Sequence, residues 1–143
     1  MKWKKINEKP DAYAIIFDVG DDVVAVINAF VRERNFSASS FKAIGALSAA
    51  QLGWYNPDTR TYETAVDLNE QIELVSLTGD VGKLDGDPVV HMHAVIGRRD
   101  GSTRGGHLLK AIVHPTVELF LVEYPVGLVK VHNAEFNLNL FQL

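Results

Sequence analysis

The chain has 143 residues and a formal net charge of −4, with 22% charged residues, 47% hydrophobic residues and no cysteine. A chain of this length buries roughly two-thirds of the surface it exposes when unfolded, so we expect residues 1–143 to form one domain. The lack of cysteine excludes a disulfide framework, a thiolate metal site and a cysteine nucleophile. The negative charge disfavours nonspecific binding to DNA, which a basic surface would support.

The amino terminus carries no evident targeting segment. The basic residues 1–5 are followed by the polar stretch 7–11, where a signal peptide would need an apolar run. Apolar runs elsewhere are much shorter than the ~18 residues of a membrane span. We therefore expect a cytoplasmic protein without a membrane partner.

The predicted elements begin with a strand over residues 12–17, followed by a helix. The helix is predicted because apolar residues at positions 23, 26, 27, 30 and 31 recur with helical period, with Asp21 or Asp22 as N-cap. The remainder is typical of strands, with a turn at 56–58 and a Gly- and Asp-rich loop over 80–88. The predicted strands cover residues 41–55, 61–68, 72–77, 89–96, 107–113, 117–123 and 136–143.

One early amphipathic helix followed by consecutive strands predicts an α+β fold (α/β mixed) with a largely antiparallel, barrel-like sheet. The pattern argues against a doubly wound parallel sheet. The sequence contains neither G-x-G-x-x-G nor G-x-x-x-x-G-K, so it has no nucleotide-binding signature. Ser48 does not lie in the G-x-S-x-G motif of a nucleophile elbow.

Three of the five histidines, His91, His93 and His107, lie in one short region. On a strand, residues two apart point to the same face, so His91 and His93 project together. The opposite face of that strand carries Val90, Met92, Ala94 and Ile96 and is wholly apolar. Packing therefore accounts for one face of this strand and leaves the two imidazoles unexplained.

The length of the hairpin loop decides whether His107 joins the other two histidines. A two-residue loop, Asp100-Gly101, would pair His93 with Leu108 and turn His107 to the wrong face. A three-residue loop that also includes Arg99, with Gly101 in the left-handed conformation, places His93 opposite His107. Opposed Cβ atoms lie ~5 Å apart and diagonal ones ~7 Å, within reach of one metal ion. The metal hypothesis thus requires an odd-length loop.

Three imidazoles and an open fourth position are typical of a Zn²⁺ site that keeps a water ligand. Ni²⁺, Fe²⁺ or Co²⁺ would fit the same ligands. The alternative is a set of histidines hydrogen-bonded to the backbone. For His114 and His132 only this alternative is expected, and His114 should face away from His107 because it has the opposite strand parity.

Three segments together resemble the plants-and-prokaryotes-conserved (PPC) domain family: Phe41–Gly53, Ile72–Gly79, and His91–Leu108 followed by Thr116-Val117-Glu118. The resemblance implies an α/β domain with antiparallel sheet that assembles as a homotrimer and binds a metal, usually zinc, at the three matching histidines. Such domains are similar in fold to α-acetolactate decarboxylase. Plant members bind DNA through a separate AT-hook, and this sequence has no Arg-Gly-Arg-Pro motif.

Three functions remain open at this point. The first, which we favour, is a homotrimeric binding, assembly or regulatory module whose metal site captures a small anionic ligand. The second is a metal-dependent lyase or hydrolase, with Glu118 and Glu73 as proton carriers. In that case Arg98, Arg99 and Arg104 would steer an anionic substrate, although a solvated hairpin tip is the stronger explanation of these arginines. The third is a DNA-binding or transcription-associated protein, which the net charge disfavours.

Overall fold

Strands dominate the structure, and a single helix interrupts them early among the described residues. The computed structural model describes the backbone of residues 1–143 and all side chains except those of residues 6–8. The elements are β1 (Lys2–Glu8), β2 (Asp11–Phe17), α1 (Val23–Glu33), β3 (Ser39–Asn56), β4 (Thr61–Leu68), β5 (Ile72–Leu84), β6 (Asp87–Gly97), β7 (Thr103–Glu123), β8 (Val129–Asn133) and β9 (Leu138–Gln142).

Helix α1 begins where the sequence predicts it. Asp22 is the N-cap, and its Oδ1 accepts a hydrogen bond of 3.0 Å from the backbone N–H of Val24. The buried stripe of the helix contains Val23, Ile27, Phe30 and Val31, which join the core cluster. At eleven residues α1 is too short to cross a membrane, and the described part of the chain contains no other α-helix.

The nine strands form one sheet, in which every described pairing is antiparallel except that of β5 with β8. The main strand order is β1-β2-β7-β3-β5-β8-β9, with β4 on the edge of β3. Strand β6 pairs with both β5 and β7, so the pairings among β3, β5, β6 and β7 close on themselves. The α+β class and the largely antiparallel, barrel-like sheet predicted from the sequence are confirmed.

The hairpin between β6 and β7 has the odd-length loop that the metal hypothesis requires. The backbone N–H of Arg98 donates to the carbonyl of Ser102 at 2.9 Å, which leaves residues 99–101 as a three-residue loop. Gly101 has a φ of +80°, in the left-handed region that glycine tolerates without strain. As a result His93 lies directly opposite His107 in the register.

The loop predicted over residues 80–88 is wrong. Strand β5 continues to Leu84, and the turn contains only Asp85 and Gly86. One glycine of this segment, Gly82, lies within the strand, where an added Cβ would lie 2.5 Å from Cε1 of Phe141. A glycine that admits a neighbouring side chain reads in sequence like a turn signal, although it lies within a strand.

Three further boundaries differ from the prediction. Residues 107–123 belong to one continuous strand, β7, which runs through Pro115 instead of breaking between 113 and 117. The carboxyl-terminal run forms a hairpin of β8 and β9, so the predicted strand 136–143 begins at Leu138, after a turn. Strand β1 escaped prediction because its alternating lysines lie at the edge of the sheet and leave no strong apolar pattern.

Candidate metal centre

The three histidines converge on the outer surface of the β6–β7 hairpin. His91 and His93 are exposed on β6, whereas Met92 and Ala94 on its other face are buried. The Nε2 atoms of His91 and His93 lie 3.1 Å apart. One ring nitrogen from each of the three residues, including the half-buried His107, lies within 4.8 Å of the other two. In a tetrahedral zinc site with Zn–N distances of 2.0–2.1 Å, ligand nitrogens lie about 3.3 Å apart, so small rotamer changes would complete the arrangement.

A buried ring nitrogen of His107 also supports a metal ion at this site. Nδ1 of His107 is buried and has no hydrogen-bond partner in the described structure. A buried nitrogen without a partner costs free energy, and such groups are rare unless an ion or water satisfies them. The close pair of Nε2 atoms on His91 and His93 likewise suits a shared cation.

The electrostatics of the cluster keep two of its imidazoles neutral. Burial, followed by the neighbouring His91 and His93, lowers the pKa of His107 to about 4. Burial, followed by His91, also lowers the pKa of His93. The neutral imidazole is the form that binds a metal, so His93 and His107 carry free ring nitrogens at neutral pH.

Asp80 and Lys130 form a charged pair behind His91. Asp80 lies opposite His91 in the β5–β6 register, and its Oδ2 is 3.6 Å from Nδ1 of His91. Its Oδ1 accepts a hydrogen bond of 2.6 Å from Nζ of Lys130, a side chain only 3% exposed. Burial acts to raise the pKa of Asp80, but the bonds with His91 and Lys130 outweigh it and leave that pKa lowered. An ionised carboxylate on the far ring nitrogen orients a metal-binding histidine.

Tyr62 provides the other support of the cluster. Its ring stacks on that of His107, with centroids 4.2 Å apart and an interplanar angle of 27°. Sequence reasoning missed Tyr62, Asp80 and Lys130. Treating residues 80–84 as strand would have revealed Asp80 as the partner of His91, but no local signal connects Lys130 or Tyr62 to the histidines.

Two cavities adjoin the histidines. One of about 290 Å³ lies between His91, His93 and Thr78. Another, of about 240 Å³, is bounded by His91, His107 and the carboxyl-terminal hairpin, including Phe141. The centre is thus open to a small ligand from two sides.

The two glutamates proposed as proton carriers lie elsewhere. Glu73 and Glu118 both line a cavity of about 610 Å³, together with Ile44, Val75 and Pro115. None of the three histidines borders that cavity. The structure therefore brings the glutamates together with each other and not with the histidines.

The three arginines of the hairpin also lie away from the centre. Arg98 forms an ion pair with Glu70, with Nε 2.6 Å from Oε1. Arg99 is exposed at the loop tip, and Arg104 lies opposite Ile96, an odd number of residues from His107 and hence on the other face of β7. None of them lines the cavities beside the histidines.

The remaining histidines, His114 and His132, lie at the surface, but their ring nitrogens face side-chain oxygens and not the backbone groups that were expected. His114 is exposed and its Nδ1 lies 3.0 Å from Oε1 of Gln71, and His132 approaches Asn139. The parity reasoning for His114 does not carry through, because a one-residue shift in the β3–β7 register between Gln51 and Leu52 interrupts the alternation. Distance along the strand, rather than face, separates His114 from His107.

Known proteins resemble this chain at the level of both sequence family and structure. The family model of the Plants and Prokaryotes Conserved (PCC) domain matches residues 5–125. No curated protein matches the chain. Among solved structures, a protein from Bacteroides thetaiotaomicron described as a "putative DNA binding protein" is 29% identical with a TM-score of 0.91, over 99% of this chain and 96% of that one.

Two other structures bear on the metal centre and the fold. A metal-containing protein from Archaeoglobus fulgidus is 28% identical with a TM-score of 0.83, over 99% of this chain and 97% of that one. A Staphylococcus aureus protein similar to α-acetolactate decarboxylase shares the fold alone: it is 14% identical with a TM-score of 0.53, over 78% of this chain and 52% of that one. With a family model spanning most of its length, the chain belongs to the plants-and-prokaryotes-conserved family, abbreviated PPC here.

Proposed function

We propose that the chain is a zinc-binding PPC module, with residues 1–143 as one domain, in which His91, His93 and His107 hold the ion. The observation that carries the proposal is the convergence of three imidazole nitrogens within 4.8 Å, one ring bearing a buried nitrogen without a partner. Three nitrogen ligands leave a fourth position open, where a bound Zn²⁺ acts as a Lewis acid toward a small anion. The metal-containing relative from A. fulgidus supports the proposal.

We expect the working unit to be a homotrimer, as the family resemblance implies. Exposed apolar side chains support an assembled state, since patches of this kind mark interaction surfaces. Ile44 and Val75, 61% and 53% exposed, flank the cavity that contains Glu73 and Glu118. Light scattering should give a mass three times the 15.8 kDa of one chain, and a monomer at micromolar concentration would contradict the assembly.

Metal analysis of untagged protein prepared without chelator tests the zinc site. The expected result is one zinc per chain, lost on dialysis against a chelator and restored on adding Zn²⁺. Metal well below one per chain, combined with failure to reload, would overturn the proposal. Loading with Co²⁺ should give the visible absorption bands of a tetrahedral site and so report the geometry.

DNA binding is the second candidate function, because the relative from B. thetaiotaomicron carries that description. The net charge of −4 weighs against it. A gel-shift titration of the zinc-loaded protein with duplex DNA at low salt separates the two: a salt-sensitive shift would favour DNA binding, and no shift would remove it.

A lyase or hydrolase loses its support, because Glu73 and Glu118 lie away from the histidines and the nearby Asp80 is already paired with His91 and Lys130.

A further inference from the structure

We propose that Lys42 and Thr78, together with the metal ion, form a binding site for a small dicarboxylate, with one carboxylate on the metal and the other on the Lys42 ammonium. This inference rests on the proposed zinc site, since the metal is one of its two poles.

The register of the sheet places these residues in one row. Lys42 on β3 pairs with Thr78 on β5, and Thr78 pairs with His93 on β6. His93 in turn pairs with His107 on β7. Directly paired residues point to the same face of a sheet, so the row leads from an ammonium group through a hydroxyl to the metal ligands.

The burial pattern shows that this face is the outer one. Lys42, Thr78 and His93 are all exposed, whereas their neighbours Ala43 and Leu77 are buried in the core. Adjacent strands are about 4.8 Å apart, so the backbones at Lys42 and His93 are separated by roughly 10 Å. The four-carbon side chain of Lys42 is flexible, so its ammonium group can approach the metal ligands more closely than the backbone does. A short anion with two carboxylates can then reach from the ammonium group to the metal.

A cavity lies between the metal ligands and Thr78, the middle residue of the row. The 290 Å³ cavity beside the histidines is lined by Thr78 as well as by His91 and His93, and Lys42 lies one strand beyond it, paired with Thr78. Its volume suits a molecule of a few heavy atoms. The Thr78 hydroxyl, between the two poles, can donate a hydrogen bond to the ligand.

The charges favour an anion with two negative ends. Asp80, the carboxylate of the cavity, is neutralised by Lys130. Lys42 makes no hydrogen bond or ion pair with any described residue, whereas Arg98 forms an ion pair with Glu70. A bound Zn²⁺ and the Lys42 ammonium would therefore place two uncompensated positive charges at the two ends of the row.

The test uses the Co²⁺-loaded full chain, because the visible bands of cobalt report both loading and anion binding. Succinate, which has two carboxylates, should bind about ten times more tightly than acetate, which has one, as expected for one added charge-assisted contact at a partly exposed site. In Lys42→Met the ratio of the two affinities should fall to about two or less. Lys42→Arg should retain most of the preference.

Arg104→Met is the matched control, because it removes one positive charge from the other face of the hairpin. It should leave the succinate-to-acetate ratio unchanged. If the cobalt bands never form, the proposed zinc site fails. If they form but wild type does not prefer succinate, or Lys42→Met keeps the preference, the zinc site stands and the dicarboxylate site is overturned.

Discussion

Two of the places where titratable side chains gather on this molecule differ in a way that cavity size does not reveal. The cavity around Glu73 and Glu118 is the larger, at about 610 Å³, but no metal-binding group accompanies the two carboxylates. The histidine centre borders smaller spaces of 290 and 240 Å³, yet three ligand nitrogens converge there. Convergence of ligand atoms, rather than volume, therefore distinguishes the stronger candidate site.

Support from surrounding residues separates the two places further. Behind the histidines, Asp80, Lys130 and Tyr62 hold the rings through an ion pair and a stacking contact. Around the glutamate cavity the lining is largely apolar and exposed, as Ile44 and Val75 show. The first arrangement suits a bound ion, whereas the second suits contact with another protein surface.

Removing a ligand should produce the largest effect. His107→Ala takes away one of three protein ligands and should weaken zinc binding by about 100-fold or more, because two imidazoles cannot enclose the ion. Competition against a chromophoric chelator measures the affinity. His114→Ala, on the same strand but bonded to Gln71, is the control and should bind zinc like wild type. Equal affinities for both variants would refute the assignment of the triad.

Disrupting the support behind His91 should have the next largest effect. Asp80→Asn keeps the shape but loses the charge that orients the imidazole, and zinc affinity should fall about tenfold. It also leaves the buried Lys130 without its anion, so thermal stability should drop. Adding the substitution Lys130→Met to Asp80→Asn removes this unpaired buried ammonium group. The double variant should regain stability but not affinity, and recovery of both would mean that Asp80 serves only the fold.

Altering the hairpin loop should have a smaller effect, on stability. Gly101 has a φ of +80°, so Gly101→Ala should lower the free energy of unfolding by about 1 kcal/mol. Urea denaturation of the metal-free protein measures the change. Gly105→Ala is the control, because its added Cβ would make only ordinary contacts of 3.5 Å or more. A loss for Gly105→Ala as large as that for Gly101→Ala would contradict the explanation by backbone conformation.

Changing the glutamates should have the smallest effect on the metal. Glu73→Gln and Glu118→Gln should each leave zinc affinity within about twofold of wild type, since the charges are remote from the histidines and screened by solvent. The same chelator competition applies. A tenfold change in zinc affinity in either variant would show that the glutamate cavity and the histidine centre are coupled, contrary to this prediction.

The parts of the fold that sequence could predict are those governed by local patterns. The apolar period and the cap at Asp22 locate α1, and the loop Arg99-Asp100-Gly101 determines the pairing of His93 with His107. Each of these depends on residues close together in the chain. The three candidate ligands are therefore recognisable from the sequence.

The remainder of the site depends on contacts that no local pattern encodes. Asp80 and Lys130 are 50 residues apart and meet because β8 returns to pair in parallel with β5. Lys130 is buried although lysine is rarely so, because its charge is paired. Gly82 reinforced the error at residues 80–88: it provides room for Phe141 from a distant segment, and sequence alone does not show that neighbour.

The odd number of residues in the β6–β7 loop has a consequence for how this site is inherited. Loss of a single codon between His93 and His107 would turn His107 to the far side of its strand while leaving every histidine in the gene. A relative with all three histidines but an even loop would therefore have lost the centre without any ligand mutation. In this chain the length of the loop is therefore as necessary to the proposed centre as the histidines themselves.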